Sequence, residues 1–282
     1  MEPVTTHHSS PRYPQFHKRK SMVMLANEPE EQLLVFVHGF GGDPLKTWSD
    51  FHSYLTLDKQ FKGFDLLFYH YDSKKVQASA SAILLDLLME EILEQPAFFS
   101  GYFFRDEDLK YSIRPEGFKY KKIFFVAHSF GAIVSRKAML SSRSKNHTWH
   151  KISKLMLIAP AHNGAKALLP VQQMLSVIPF VVGWKRFRTP TLDDVDLSSP
   201  NCRLKELKEE TKMIQAGSEG EFTIAGQVIW SLEDYVVNNE EYLKDAEPII
   251  EDYQDHKHVC KPNDGYLTPL DTLKKFVLQY GS

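Results

Sequence analysis

The chain alternates short, almost uninterrupted apolar runs with longer segments in which apolar residues recur every three or four positions. Five runs stand out, at 33–37, 65–69, 122–127, 154–158 and 222–228. Each ends in small or polar residues, the pattern of strands buried on both faces of a parallel sheet. Between them, Ile83, Leu84, Leu87, Leu88 and Ile92 fall at helical spacing within 79–94, and 132–142 reads as a helix directly after the third run. Strand and helix alternate, with connections long enough for crossover helices. This predicts a mostly parallel sheet flanked by helices on both faces, a three-layer α/β fold.

Two stretches break the alternation. Residues 95–120 mix Phe98, Phe99, Tyr102, Phe103 and Phe104 with charges of both signs, and read either as a packed excursion or as part of a substrate-site wall. Residues 165–220 open with an apolar segment, 168–184 being nearly devoid of charge, and then turn charged. This second insertion is expected to form a lid or cap. Residues 1–20 are rich in Pro, Ser and His, lack periodicity and read as a flexible N-terminal arm. That leaves 21–282 as one domain with insertions at about 95–120 and 165–220.

Composition narrows the class without naming a partner. An apolar fraction of 43% over 282 residues suits a globular protein with a sizeable core. A formal charge of −2 supplies no global attraction for nucleic acid or anionic lipid. The basic arm residues Arg12, Lys18, Arg19 and Lys20 are equally well explained as a solvated tail, so no nucleic-acid partner is expected. Two cysteines, Cys202 and Cys260, are too few for a disulfide framework and fit a reducing compartment. The first thirty residues hold no apolar core of a secretory signal, and no run reaches the ~18 apolar residues of a spanning helix. The expectation is a soluble, cytoplasmic protein.

Chemistry concentrates where the third run ends, at Ala127-His128-Ser129-Phe130-Gly131. A buried strand runs into a serine flanked two residues away on each side by small residues, and a helix follows. This is the pattern of a nucleophile elbow, in which a strained strand-to-helix turn exposes the serine hydroxyl and bulky neighbours would collide. The first small residue is Ala127 where the usual pattern has Gly. Upstream, Val37-His38-Gly39-Phe40-Gly41-Gly42-Asp43 follows the first strand. Glycines there let backbone N–H groups approach a developing oxyanion, and Phe40 and Phe130 are the candidate donors. The Gly-Lys-Ser/Thr ending of a phosphate-binding P-loop is absent, Leu45 standing before Lys46-Thr47. An elbow of this fold takes its acid and then its base from later in the chain. For the acid, Asp234 leads with Glu233 close behind, both just past the fifth run; for the base, His256 and His258 stand nearly equal.

Together these motifs resemble the α/β-hydrolase superfamily, and within it the lipase-like serine esterases that include the GPI-inositol deacylase-like proteins. The resemblance spans roughly residues 32–275 and is carried by the two glycine-bearing motifs above and by Ala159-Pro160-Ala161-His162-Asn163-Gly164, which is similar to the family's Pro-His-x-Gly with an extra residue, Ala161. Asp234-Tyr235-Val236-Val237 resembles the family's Asp-Gly-Val-Val with Tyr in place of Gly, which keeps Asp234 ahead of Glu233. Asp255-His256-Lys257-His258-Val259-Cys260-Lys261 is similar to Asp-His-x-x-Ile/Val-Cys-Lys, in which the first His is catalytic, and so implies His256 over His258.

The resemblance implies an α/β-hydrolase fold and a serine hydrolase cleaving carboxylic esters of lipid or acyl-chain type through a Ser129–His256–Asp234 triad. It implies no cofactor and no metal, with His38, His128 and His162 as loop residues near the site. Residues 168–184 are expected to form an apolar acyl-binding cap with peripheral membrane contact, or alternatively a helix pair packed on the core. Two rival readings are a catalytically silent scaffold and an amidase, peptidase or acyltransferase using the same residues.

Overall fold

The structure, a computed structural model, describes residues 12–16, 21–94, 114, 117–164, 202–217 and 220–281. The expected cap at 168–184 and nearly all of the 95–120 insertion lie outside the described residues. Eight strands form one sheet: β1 (Arg12–Phe16), β2 (Met22–Ala26), β3 (Gln32–Val37), β4 (Asp65–Tyr69), β5 (Lys122–His128), β6 (Ser153–Ile158), β7 (Ala225–Ser231) and β8 (Pro248–Glu251), in the order β1-β2-β4-β3-β5-β6-β7-β8. The six strands from β4 to β8 in that order run parallel, while β2 is antiparallel to β4 and β1 to β2. Within the segment read as an arm, the backbone of Arg12–Phe16 is therefore an edge strand of the sheet.

Four of the five apolar runs become strands at nearly the expected positions. The fifth is displaced. Gly220–Thr223 forms a 3-10 turn and the strand starts at Ala225. The cause is side-chain capture of the backbone: the Thr223 carbonyl accepts from the Arg136 guanidinium, and the Ala225 N–H donates to Asp245 Oδ1 at 2.9 Å. The strands β2 and β8 were not expected. β8 is a four-residue edge whose side chains are mostly half-buried, so its sequence carries no continuous apolar signal.

Helices α1 (Phe51–Leu57) and α5 (Thr268–Gly281) cover one face of the sheet, and α2 (Ala78–Glu94) packs on α3 (Phe130–Ser144) over the other. The central strand β5 shows why both faces need covering. Its Phe124 meets Phe276 of α5 at a ring distance of 5.6 Å, and the next residue, Phe125, meets Trp149 at 5.6 Å on the opposite side. Alternate residues of a strand point to opposite faces, so a continuous apolar run demands two apolar layers. In α2 the buried stripe is Ala78, Ala82, Leu85, Leu88, Met89 and Ile92, while Ile83, Leu84 and Leu87 face outward. The remaining helix, α4 (Leu204–Gln215), lies in the charged half of the 165–220 insertion and packs on the turns at Ala161–Asn163 and Gly220–Thr223.

One buried charge ties this frame together. Asp65, at the start of β4, is fully buried; its carboxylate accepts from Arg114 Nε at 3.0 Å, from the Arg114 terminal nitrogen, from the Tyr120 hydroxyl and from the Ala26 N–H at 2.8 Å. Burial drives the Asp65 carboxyl towards the neutral form and Arg114 opposes it. Removing one partner leaves the other charged and unpaired inside the protein. Asp65→Ala is therefore expected to cost about 3–5 kcal/mol in urea unfolding, and the Asp65→Ala/Arg114→Met double variant less than the sum of the singles.

Candidate active site

The site is built at the C-terminal ends of the parallel strands. β5 ends at His128 and α3 starts at Phe130, so the chain reverses on a single residue, Ser129, whose φ of 54° and ψ of −121° lie where non-glycine residues are strained. The turn is held by the Ser129 N–H donating to the Ile158 carbonyl at 3.0 Å and by the Ser129 carbonyl accepting from Ala132 at 3.1 Å. The small residues around it are geometric necessities. A Cβ on Gly131 would stand 2.2 Å from the Val37 carbonyl oxygen, and one on Gly39 would stand 2.9 Å from Ser129 Cβ. α3 thus begins pressed against the end of β3, and the loop after β3 passes directly over the serine.

Ser129 Oγ lies 2.8 Å from His256 Nε2, and His256 Nδ1 lies 2.7 Å from Asp234 Oδ2. All three residues are buried. The other oxygen of Asp234 accepts the N–H groups of Val236 at 2.8 Å and Val237 at 2.9 Å. Burial pushes the Asp234 carboxyl up, but the hydrogen bonds from His256 and the two amides outweigh it and hold the group below its usual range. Asp234 is therefore ionised with its geometry fixed by its own loop. Glu233 is exposed and takes no part in this chain of bonds, and His258 instead pairs with Asp255, its Nδ1 2.8 Å from Oδ1.

The loop after β3 is fastened from several sides. Gly42 N–H donates to the Gly39 carbonyl at 3.1 Å, closing a turn over Phe40 and Gly41, and Gly41 N–H donates to Ser73 Oγ at 2.8 Å. His38 is fully buried beneath it, its Nδ1 2.8 Å from the Gly39 carbonyl, its ring stacked on Tyr71 at 4.4 Å, and its own carbonyl accepting from the Tyr71 hydroxyl at 2.6 Å. Phe130 is the first residue of α3, so its N–H has no acceptor within the helix. Phe40 is half-buried on the lip of the cleft.

His128, His38, Tyr71 and Ser73 support the site without having been singled out as supports. His128 Nε2 donates to the His256 carbonyl at 2.8 Å, which anchors the loop that presents the imidazole. Cys260 Sγ donates to the Thr47 carbonyl at 3.3 Å and links that same loop to the one after β3; burial pushes this thiol up to about 12, which keeps it neutral. Cys202 is also a free thiol. His162 is buried against Tyr242 at a ring distance of 4.5 Å. No sequence motif marks Tyr71 or Ser73, because each acts through one hydroxyl reached only after folding.

No family model matches the chain, and no curated protein matches it either. Solved structures do. Carboxyl esterase 2 of the mycorrhizal fungus Tuber melanosporum superposes with a TM-score of 0.59 at 12% identity, over 99% of this chain and 89% of that one. Esterase B of Lactobacillus rhamnosis, inhibited by a tributyrin phosphonate, gives 0.52 at 9% identity over 97% and 86%. A Bacillus licheniformis lipase in its propeptide form gives 0.52 at 13% identity over 93% of this chain, which spans only 53% of the lipase. These likenesses show the α/β-hydrolase fold.

Burial of neutral imidazoles sets a pH dependence. Burial lowers His38 to about 4 and, with His256 adding to it, His128 to about 3, whereas both titrate near 6.5 when unfolded. Between those values the unfolded chain binds protons that the folded chain refuses, so stability is complete above pH ~6.5 and declines as the pH falls. Urea unfolding is expected to show a loss on the order of 5 kcal/mol between pH 7 and pH 4 from these two residues. A stability that stays level over that range would contradict the assignment.

Proposed function

We propose that the chain is a serine hydrolase of carboxylic esters, acting on lipid or acyl-chain substrates. The observation that carries this reading is the unbroken path Ser129 Oγ, His256, Asp234, with bonds of 2.8 and 2.7 Å, buried at the strained turn between β5 and α3. A serine hydroxyl is a weak nucleophile unless an adjacent base takes its proton. His256 Nε2 accepts that proton as Oγ attacks the ester carbonyl carbon, and ionised Asp234 holds Nδ1–H and stabilises the imidazolium. The carbonyl oxygen becomes an oxyanion facing the N–H groups of Phe40 and Phe130, the latter at the positive end of α3. Collapse expels the alkoxide, which takes the proton from His256. A water then attacks the acyl-enzyme, gives its proton to His256, and the carboxylic acid leaves with Ser129 restored.

The esterase and lipase structures that share the fold support hydrolysis of this kind. The motifs at Pro160-Ala161-His162-Asn163-Gly164 and Asp255-His256-Lys257-His258 resemble those of the lipase-like, GPI-inositol deacylase-like branch, which supports a lipid or acyl-chain substrate. Two free thiols fit a reducing, cytoplasmic setting. Among the described residues no helix is long and apolar enough to cross a membrane; a peripheral membrane contact would come from 168–184.

Two measurements test the proposal. On para-nitrophenyl butyrate, Ser129→Ala is expected to lower kcat/KM by about 10,000-fold or more and Asp234→Asn by a comparable factor, while Glu233→Gln and His258→Gln stay within about twofold of the parent. A loss in Glu233→Gln matching that of Asp234→Asn would overturn the choice of acid. Across a series of esters of increasing acyl length, kcat/KM is expected to rise with length; no gain beyond the shortest chains would remove the lipid part of the reading.

A further inference from the structure

The cleft over Ser129 has a volume of about 290 Å³, and its charged lining is one-sided. Lys46, Lys74, Lys257 and Lys261 line it against a single carboxylate, Asp43. The chain as a whole carries a formal charge of −2, so this basicity is local. The four lysines come from three separate loops, those after β3, after β4 and around His256. Lys74 reaches across to the loop after β3, its Cε 3.3 Å from where a Cβ on Gly41 would stand.

Elsewhere on this surface, several lysines sit beside acids, as in Lys75 with Asp72 at 3.0 Å, Lys121 with Glu31 at 2.5 Å and Lys154 with Glu221 at 2.6 Å. Among the described residues, none of the four cleft lysines has a carboxylate within ion-pair distance. Asp43, whose ionised carboxylate accepts the N–H groups of Leu45 and Lys46 at 3.0 Å each and interacts with the Lys46 charge, offsets one of the four, which leaves the lining with an excess of positive charge. A cleft lined by one sign of charge focuses the field and concentrates ligands of the other sign. The N-terminal end of α3 adds to the same field.

We infer that the cleft selects an anionic ester, one whose phosphate or carboxylate lies a few bonds from the scissile carbonyl and is held by these lysines. The inference rests on the ester-hydrolase reading for its substrate class, but the anion site itself does not need catalysis. A neutral ester reaches Ser129 without this attraction, and a cationic headgroup is repelled.

The test compares charge-matched pairs in two arms. In the turnover arm, the parent protein hydrolyses 1-butyrylglycerol 3-phosphate against 1-butyrylglycerol, and para-nitrophenyl succinate against para-nitrophenyl butyrate, distinguishing an anion on the alcohol side from one on the acyl side. At low ionic strength the anionic member of at least one pair is expected to have a kcat/KM about tenfold higher, with the ratio falling towards one in about 0.5 M NaCl. The Lys46→Glu/Lys74→Glu variant is expected to lower that ratio by about tenfold or more. In the binding arm, calorimetry with Ser129→Ala is expected to detect 1-butyrylglycerol 3-phosphate binding that salt and the lysine changes weaken. Binding of this kind without hydrolysis by the parent would support the anion site and overturn the hydrolase reading. Hydrolysis without anion preference in either pair, and without salt-sensitive binding, would overturn the anion site alone.

Discussion

Ser129 is held at a positive φ between the last residue of a buried strand and the first residue of a buried helix. A conformation of this kind costs about 1–3 kcal/mol and persists only where the surroundings leave no alternative. Here β5 is locked between β3 and β6, and α3 is pressed so closely on the end of β3 that only glycine fits at position 131. Packing of the sheet against α3 thus sets where the serine hydroxyl points, and each neighbouring loop has to meet it there.

Three loops do so, and each is fixed by bonds that leave its working group free. The loop after β3 spends its Gly41 and Gly42 amides on Ser73 and on its own Gly39 carbonyl. The loop after β7 uses two amides to hold one oxygen of Asp234 and leaves the other for His256. The loop carrying His256 is tied down by His128 and by Cys260. Burial keeps His38 and His128 neutral, so the supports add no positive charge beside His256, and the cationic character of the cleft comes from lysines at its rim.

The sheet was legible because strands buried on both faces are continuous apolar runs, and β3 to β6 need no partner to be recognised. β1 and β8 escaped, since edge strands draw their definition from the neighbour they pair with, and β8 in particular is four residues of mixed exposure; β2, a buried run of five residues between β1 and β4, lies next to the segment read as an arm. The start of β7 was misjudged because Arg136 and Asp245, remote in sequence, capture its approach. At the site, Ser129 and Gly131 announce themselves through steric demands that leave few residue types open. The choice between His256 and His258 rested on resemblance, and the narrow lead of Asp234 over Glu233 was kept by it, because a one-residue shift on a loop leaves no periodic trace. The supports Tyr71, Ser73 and His128, and the convergence of four lysines from three loops, exist only in three dimensions.

The most direct test of the account is intact-protein mass spectrometry after incubation with an alkyl fluorophosphonate, which loses fluoride to an activated serine. The account predicts one adduct on the parent protein, mapped to Ser129, absent from Ser129→Ala and strongly slowed in His256→Ala. An adduct that persists in Ser129→Ala, or labelling of the parent protein that is indifferent to His256→Ala, would contradict it.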